Sequence, residues 1–253
     1  LYQDQSLWEK AFDAYEFATT IDNKFLEAYT NKADCCFQLH DIRKAISVLR
    51  EALDYVEEKT SVYALIAQYY LLQENYDTAI LYLKEAIKLD PSEGPLHMAM
   101  ASCYAQLNEY YLAMDYMKRA FEESPDEPLL LLDAARIYAH FDDKENAIKH
   151  YEEGLKLFVF DDACWLEYAD YLMEHNYYEE AIDVLNRGLL SAYEPLDFNL
   201  RLASCYFQTN RRNQLFNALR ACQQSDENAF ILLLEACPEM MNDLEVMNIL
   251  QSK

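Results

Sequence analysis

The sequence predicts an all-α solenoid of antiparallel helix pairs with a 34-residue repeat. One observation behind this is a ladder of small residues: Ala11, Ala45, Ala79, Ala113, Ala147 and Ala181 lie 34 positions apart, with Leu215 in the seventh place. A second ladder keeps the same step through Ala33, Ala67, Ala101, Ala135, Ala169 and Ala203 to Cys237. Self-similarity at such a period marks units that cannot bury their apolar faces alone and must stack. The third observation is the pattern inside one unit. In residues 60–93, Tyr63, Ile66, Ala67, Tyr70 and Leu71 fall at helical spacing, and Gln73-Glu74-Asn75 interrupts them. Tyr76, Ala79, Ile80, Leu83, Ala86 and Ile87 then form a second apolar face, which Asp90-Pro91 ends.

Taken in order, the units run 26–59, 60–93, 94–127, 128–161, 162–195 and 196–229, as a single array. Before them, residues 1–25 form an incomplete unit. Leu1 enters at repeat position 10, near the end of a first helix, so the chain is expected to be a fragment of a longer protein or to have lost upstream residues by cleavage. After them, residues 230–253 are expected to cap the array. Phe230–Leu234 begins a first helix, and Pro238-Glu239 suits the first turn of a last one. Met240, Met241, Leu244, Met247 and Leu250 would form its apolar stripe.

Within each unit, position 8 is small so that the first helix can approach its partner, and positions 20 and 27 are small so that the second can pack on the next unit. Larger residues fill the gaps. Tyr15, Leu49, Leu83, Met117, Tyr151, Leu185 and Leu219 share position 24, and Tyr70, Tyr104, Tyr138 and Tyr206 share position 11. Tyrosine buries well between helices with its hydroxyl at a polar edge, so these rings are assigned to packing.

Composition narrows the function classes. The 253 residues hold 45 acidic and 21 basic side chains, a net charge of −24. Such a surface repels phosphate backbones and anionic lipids, so neither nucleic acid nor a membrane is an expected partner. The seven cysteines are scattered without CxxC or finger spacing. Cys35, Cys103 and Cys205 share one repeat position, which suits apolar filler in a reducing, cytoplasmic setting. There is no transmembrane run.

These residues resemble the tetratricopeptide repeat, whose pattern places large residues at positions 4, 11 and 24, small ones at 8, 20 and 27, and often proline at 32. Position 4 holds Tyr29, Tyr63, His97, Leu131, Trp165 and Asn199. Position 27 holds Ala18, Ala52, Ala86, Ala120, Gly154, Gly188 and Cys222, and position 32 is proline at Pro91 and Pro125. The resemblance covers almost the whole chain, is strongest in the middle and weakens toward the C-terminus.

It implies a right-handed superhelix whose first helices line a concave groove that holds a partner's extended or helical segment. Positions 2, 5, 9 and 12 would face that groove. The expected lining is Phe37, Gln68, Met98, Leu129, Leu132, Arg136, Leu166, Asp170, Met173, Leu200 and Phe207. Met98, Leu129, Leu132, Leu166, Met173, Leu200 and Phe207 would make a contiguous apolar track, with Arg136 and Asp170 as polar markers. The alternative is that these side chains simply cover neighbouring first helices. Members of the family that bind chaperones grip a terminal carboxylate with lysine at position 5 and asparagine at 9. Neither occurs here, and Asn31 and Arg201 at position 6 sit five units apart.

Catalysis finds no support. His40, His97, His140, His150 and His175 occupy different repeat positions, and no HExxH, nucleophile elbow or phosphate loop is present. Cys35, Cys36 and His40 lack a fourth ligand for zinc. No catalytic, cofactor or metal residue is therefore assigned. The expected function is a non-catalytic interaction scaffold for a neutral or basic protein or peptide segment with apolar anchors. Alternatives are a substrate-recruiting arm of a larger enzyme and weak self-association through the end helices.

Overall fold

A turn recurring every 34 residues organises the structure. The computed structural model describes residues 2–157, 161–225 and 229–251. His40, Glu74, Asn108, Asp142, Asn176 and Asn210, all at repeat position 15, have φ between 55° and 63°. The first helix of each unit ends there in one hydrogen-bonding pattern. The amide of position 15 donates to the carbonyl of position 12, as in Asn108 to Ala105 at 2.8 Å. The next amide reaches back to position 11, as in Glu109 to Tyr104 at 2.9 Å. Together these bonds satisfy helix-end carbonyls that would otherwise be orphaned. Asp41, Asn75 and Asp143 then cap the second helix by accepting from an amide three residues on, at 2.9, 3.3 and 3.3 Å.

The helices are α1 (Tyr2–Ile21), α2 (Leu26–Gln38), α3 (Ile42–Ala52), α4 (Lys59–Leu72), α5 (Tyr76–Leu89), α6 (Gly94–Gln106), α7 (Tyr110–Glu123) and α8 (Leu129–His140). They continue with α9 (Lys144–Leu155), α10 (Asp162–Glu174), α11 (Tyr178–Leu189), α12 (Pro195–Gln208), α13 (Arg212–Ser225) and α14 (Ala229–Ala236). A short 3-10 helix (Pro238–Asn242) and α15 (Leu244–Gln251) complete the described elements, among which there is no strand. The chain divides into two compact units, residues 1–147 and 148–253, within α9.

In the first unit, α2–α3, α4–α5 and α6–α7 are helical hairpins, with α1 packed on α2 and α6 on α8. In the second, α10–α11 and α12–α13 are hairpins, with α10 on α12 and α12 on α14. The alanines at position 8 are 0–1 % exposed from Ala33 to Ala203, and those at position 20 are 0 % exposed from Ala45 to Ala181. Leu49, Leu83, Met117, Tyr151, Leu185 and Leu219 at position 24 are buried beside them. Gly188 at position 27 leaves no room for even one more carbon. A β-carbon there would stand 2.5 Å from Phe198 Cε1 and 2.9 Å from Trp165 Cγ.

Three features depart from expectation. Residues 4–6, where the repeat phase sets a turn, carry neither glycine nor asparagine, and α1 runs through them unbroken. At the other end, Pro238 opens a 3-10 turn rather than the last α-helix, which Asp243 caps by accepting from Val246 N at 3.2 Å. The proposed methionine stripe is thereby split: Met240 is buried, Met241 and Leu244 are exposed, and Met247 is half-buried, while the side chain of Leu250 lies outside the described residues. The apolar face of this segment is instead completed by Val246. Phe230 likewise lies outside the described side chains.

The third is Lys32, 3 % exposed at position 7, where other units place Ile66, Met100, Ala134, Tyr168 and Leu202. Its ammonium pairs with Glu16 of α1 and lies 3.9 Å from Glu51 of α3. The rings of Phe12 and Tyr29 are 5.6 and 5.8 Å away. A buried charge persists only with such partners, so Lys32 ties α1 to the first hairpin.

Glu74 is the one turn residue whose side chain has neither the short polar group of asparagine or aspartate nor the ring of histidine, and a left-handed residue with a β-carbon costs about 1–2 kcal/mol. Glu74→Asn should therefore raise stability by about 0.5–1 kcal/mol, and Asn108→Glu should lower it similarly. Urea denaturation followed by circular dichroism at 222 nm reads both shifts.

Candidate interaction surface

On a first helix, positions 2, 5, 9 and 12 share one face by helical periodicity. Their exposure differs sharply, which decides what that face can do. At position 5 exposure varies between units: Met98 is 1 %, Leu132 3 % and Leu200 7 % exposed, while Leu166 is half-buried. Met98 belongs to the core around α6–α8 and Leu200 to the core around α12–α14. Consecutive first helices pack on each other, α6 on α8 and α12 on α14, and Met98 and Leu200 lie in the cores at those contacts. These three residues are corrected from surface lining to core.

What remains accessible in residues 1–147 is Phe37, Gln68, Leu129 and Arg136, of which Leu129 is 55 % exposed. Phe37 lies 5.8 Å from the ring of Tyr69, whose hydroxyl donates to Asp34 Oδ1 at 3.1 Å. Burial, then the Asp34 carboxylate, push that phenol well above its usual range. Leu72, one step from position 12, is also exposed. In residues 148–253, Leu166, Asp170, Met173 and Phe207 are half-buried.

Both polar markers are engaged within the chain. Arg136 Nη1 lies 2.7 Å from Asp133 Oδ1 on the same helix. Arg201 holds Asp170 in a fork, with Nε donating to Oδ1 at 2.7 Å and Nη2 to Oδ2 at 2.8 Å. Similar bridges link one repeat to the next in the second unit: Arg187 to Glu152 at 3.1 Å, and Arg211 to Glu179. Planar guanidinium forks of this kind fix geometry as well as charge. With several basic side chains engaged as staples between repeats and 45 acidic residues against 21 basic ones, a surplus of carboxylates remains. Sequence reasoning noticed Arg201 only as an element of an absent clamp. Its spacing of 31 residues from Asp170, close to one repeat, was the available signal.

Two of the histidines are held by backbone carbonyls. His175 Nδ1–H donates to the Tyr171 carbonyl at 2.8 Å, and His97, buried, donates from Nε2 to the Pro91 carbonyl at 2.9 Å. Among the described residues no His, Cys, Asp and Glu side chains converge as a metal site, and no helix is long and apolar enough to cross a membrane. All seven cysteines are buried. Desolvation pushes the thiols of Cys103, Cys205 and Cys222 up to about 12, which keeps them protonated.

Comparison with known proteins follows this geometry. A family model described as the tetratricopeptide repeat matches residues 26–55, 60–93 and 95–127. A chain of the APC/C hetero-tetramer Cut9-Hcn1 is similar at 17 % identity and TM-score 0.66, over 96 % of this chain and 46 % of that one. Yeast Tom70 is similar at 15 % identity and TM-score 0.65, over 97 % and 54 %. A tetratricopeptide repeat protein from Parabacteroides merdae is similar at 10 % identity and TM-score 0.63, over 99 % and 93 %. This chain spans about half the length of the first two. No curated protein matches its sequence.

The burial of the thiols has a measurable consequence. At pH 8, a pKa near 12 leaves roughly a thousandfold less thiolate than an ordinary cysteine has. Cys103, Cys205 and Cys222 should resist iodoacetamide in the native protein and react fully in urea. Their labelling should climb as pH rises toward 12, as read by mass spectrometry of tryptic peptides.

Proposed function

We propose that this chain, which matches the tetratricopeptide repeat in three stretches between residues 26 and 127, is a non-catalytic interaction scaffold that holds a segment of a partner protein on its first-helix face. The observation that carries this reading is the set of large apolar side chains left accessible on first helices of a strongly acidic chain. These are Phe37, Leu72 and Leu129 in residues 1–147, and Leu166, Met173 and Phe207 in residues 148–253. Repeat solenoids bind through extended surfaces of this kind, and exposed apolar patches rimmed by polar groups mark interaction sites.

The internal pairing of Asp170 and Arg136 supports a partner gripped by apolar anchors rather than by a fixed charge clamp. The net charge of −24 favours a neutral or basic segment. Buried, protonated thiols used as filler support a reducing setting such as the cytoplasm.

Leu132 is unsuitable for testing this, since an aspartate at so buried a site would unfold the hairpin. The informative variants are Phe37→Ser/Leu129→Ser and Met173→Ser/Phe207→Ser, each checked for folding by circular dichroism. Quantitative pull-down should show at least about a tenfold loss of the same partners in one or both, the scale of a lost interface anchor. Unchanged capture by both folded variants refutes the first-helix reading.

A further inference from the structure

Repeats this regular make any departure at a solvent-facing position informative, because five neighbouring units show what the fold needs there. Positions 18 and 19 open the second helix. They hold Arg43 and Lys44, Asp77 and Thr78, Glu145 and Asn146, Glu179 and Glu180, and Asn213 and Gln214. Unit 94–127 instead carries Tyr111 and Leu112. The fold does not bury them: Tyr111 is 86 % and Leu112 42 % exposed, while the adjacent Ala113 is 0 % exposed.

Tyr111 joins other rings at one edge of residues 1–147, and Leu112 is exposed beside it in sequence. Tyr111 meets Tyr110 edge-on at 5.6 Å, and Tyr110 meets Phe141 edge-on at 5.0 Å. Phe141 in turn meets His140 at 5.1 Å. His140 Nε2 lies 3.3 Å from Asn108 Oδ1, which links the turn after α8 to the turn after α6. The rings are thus held as a pre-formed array across two turns, an arrangement that costs a ligand little ordering entropy.

Three carboxylates neighbour these rings along the chain. Glu109 directly precedes Tyr110, Asp142 directly follows Phe141, and Asp115 lies one helical turn beyond Tyr111. The nearby cations, Lys144 and Arg119, are paired with Asp142 at 3.6 Å and Asp115 at 2.8 Å. With Asp142 and Asp115 already paired, the attraction for a guanidinium or ammonium rests on the exposed tyrosine faces, the neighbouring Glu109 and the net charge of −24. Leu112 adds apolar area for a neighbouring side chain.

We propose that Tyr110, Tyr111, Leu112 and Phe141 form a second docking site, at the turn edge rather than on the first-helix face, for a partner segment that mixes arginine or lysine with apolar residues. The site is independent of the reading above.

Fluorescence anisotropy with a fluorescein-labelled peptide alternating arginine and leucine tests it. The same peptide with glutamate replacing arginine is the control. The key variant is Tyr111→Asn/Leu112→Gln, which borrows the side chains of unit 196–229 and leaves the net charge unchanged. Circular dichroism verifies its fold. The arginine peptide should bind wild type saturably and the variant at least about tenfold more weakly, with Phe37→Ser/Leu129→Ser binding as wild type does. Equal binding to wild type and Tyr111→Asn/Leu112→Gln would reduce the attraction to bulk charge and overturn the proposal. So would equal binding of the glutamate peptide, absence of saturable binding, or a loss confined to Phe37→Ser/Leu129→Ser. Sedimentation showing a wild-type dimer that Tyr111→Asn/Leu112→Gln abolishes would also overturn it, by assigning the edge to self-association.

Discussion

Helices of three or four turns are held in place here by how closely they approach one another, and columns of small residues set that distance. Isolated helices of this length are marginal in water, so each must gain its order from a neighbour. Alanine at positions 8 and 20 removes the bulk that would hold two backbones apart, and the residues at position 24 then reach across the seam. Gly188 shows how tight the seam becomes: Trp165 and Phe198 occupy the space that a single methyl would need. Close packing of this sort tolerates neither a gap nor an extra carbon cheaply.

The turn is the second constraint, and it follows from the first. Two helices packed closely and antiparallel must reverse within very few residues, and a left-handed residue at position 15 does this while satisfying the carbonyls the first helix leaves open. The chain has only three glycines and uses none of them for this purpose. Asparagine, aspartate and histidine take the position in five of the six turns, since their side chains tolerate that conformation better than most. Basic residues reinforce the stack from outside, as Arg187 does with Glu152 and Arg201 with Asp170. With so many carboxylates for each cation, a surplus of acidic side chains remains.

Function depends on what stacking leaves over. First helices pack on one another, and Met98 and Leu200 lie in the cores at those contacts, although their helical register matches that of Phe37 and Leu129. Sequence periodicity assigns a residue to a face. It does not say how far round the helix the neighbour's contact extends, and one residue's difference in that margin separates an anchor from filler. Met98, Leu132 and Leu200 are therefore core residues, while Leu166 at the same repeat position is half-buried and Phe37 and Leu129 are exposed. The aromatic edge at Tyr110 and Tyr111 was legible in principle as a break in the repeat pattern at positions 18 and 19. Its signal lay in the comparison between units rather than within any one of them.

The sequence by itself determined the helix pairs, their period, the columns of small residues and the filler role of the cysteines, because each is a local consequence of spacing and side-chain volume. It also determined where first helices turn back, through the polar break before each second helix. Only the tertiary structure decided that Lys32 could be buried at an apolar position, because the carboxylates of Glu16 and Glu51 arrive from other helices. Only it decided that Asp170 is bound to Arg201 and that Pro238 opens a 3-10 turn. Those outcomes depend on which groups meet across distant parts of the chain, and periodicity along one helix carries no record of that meeting.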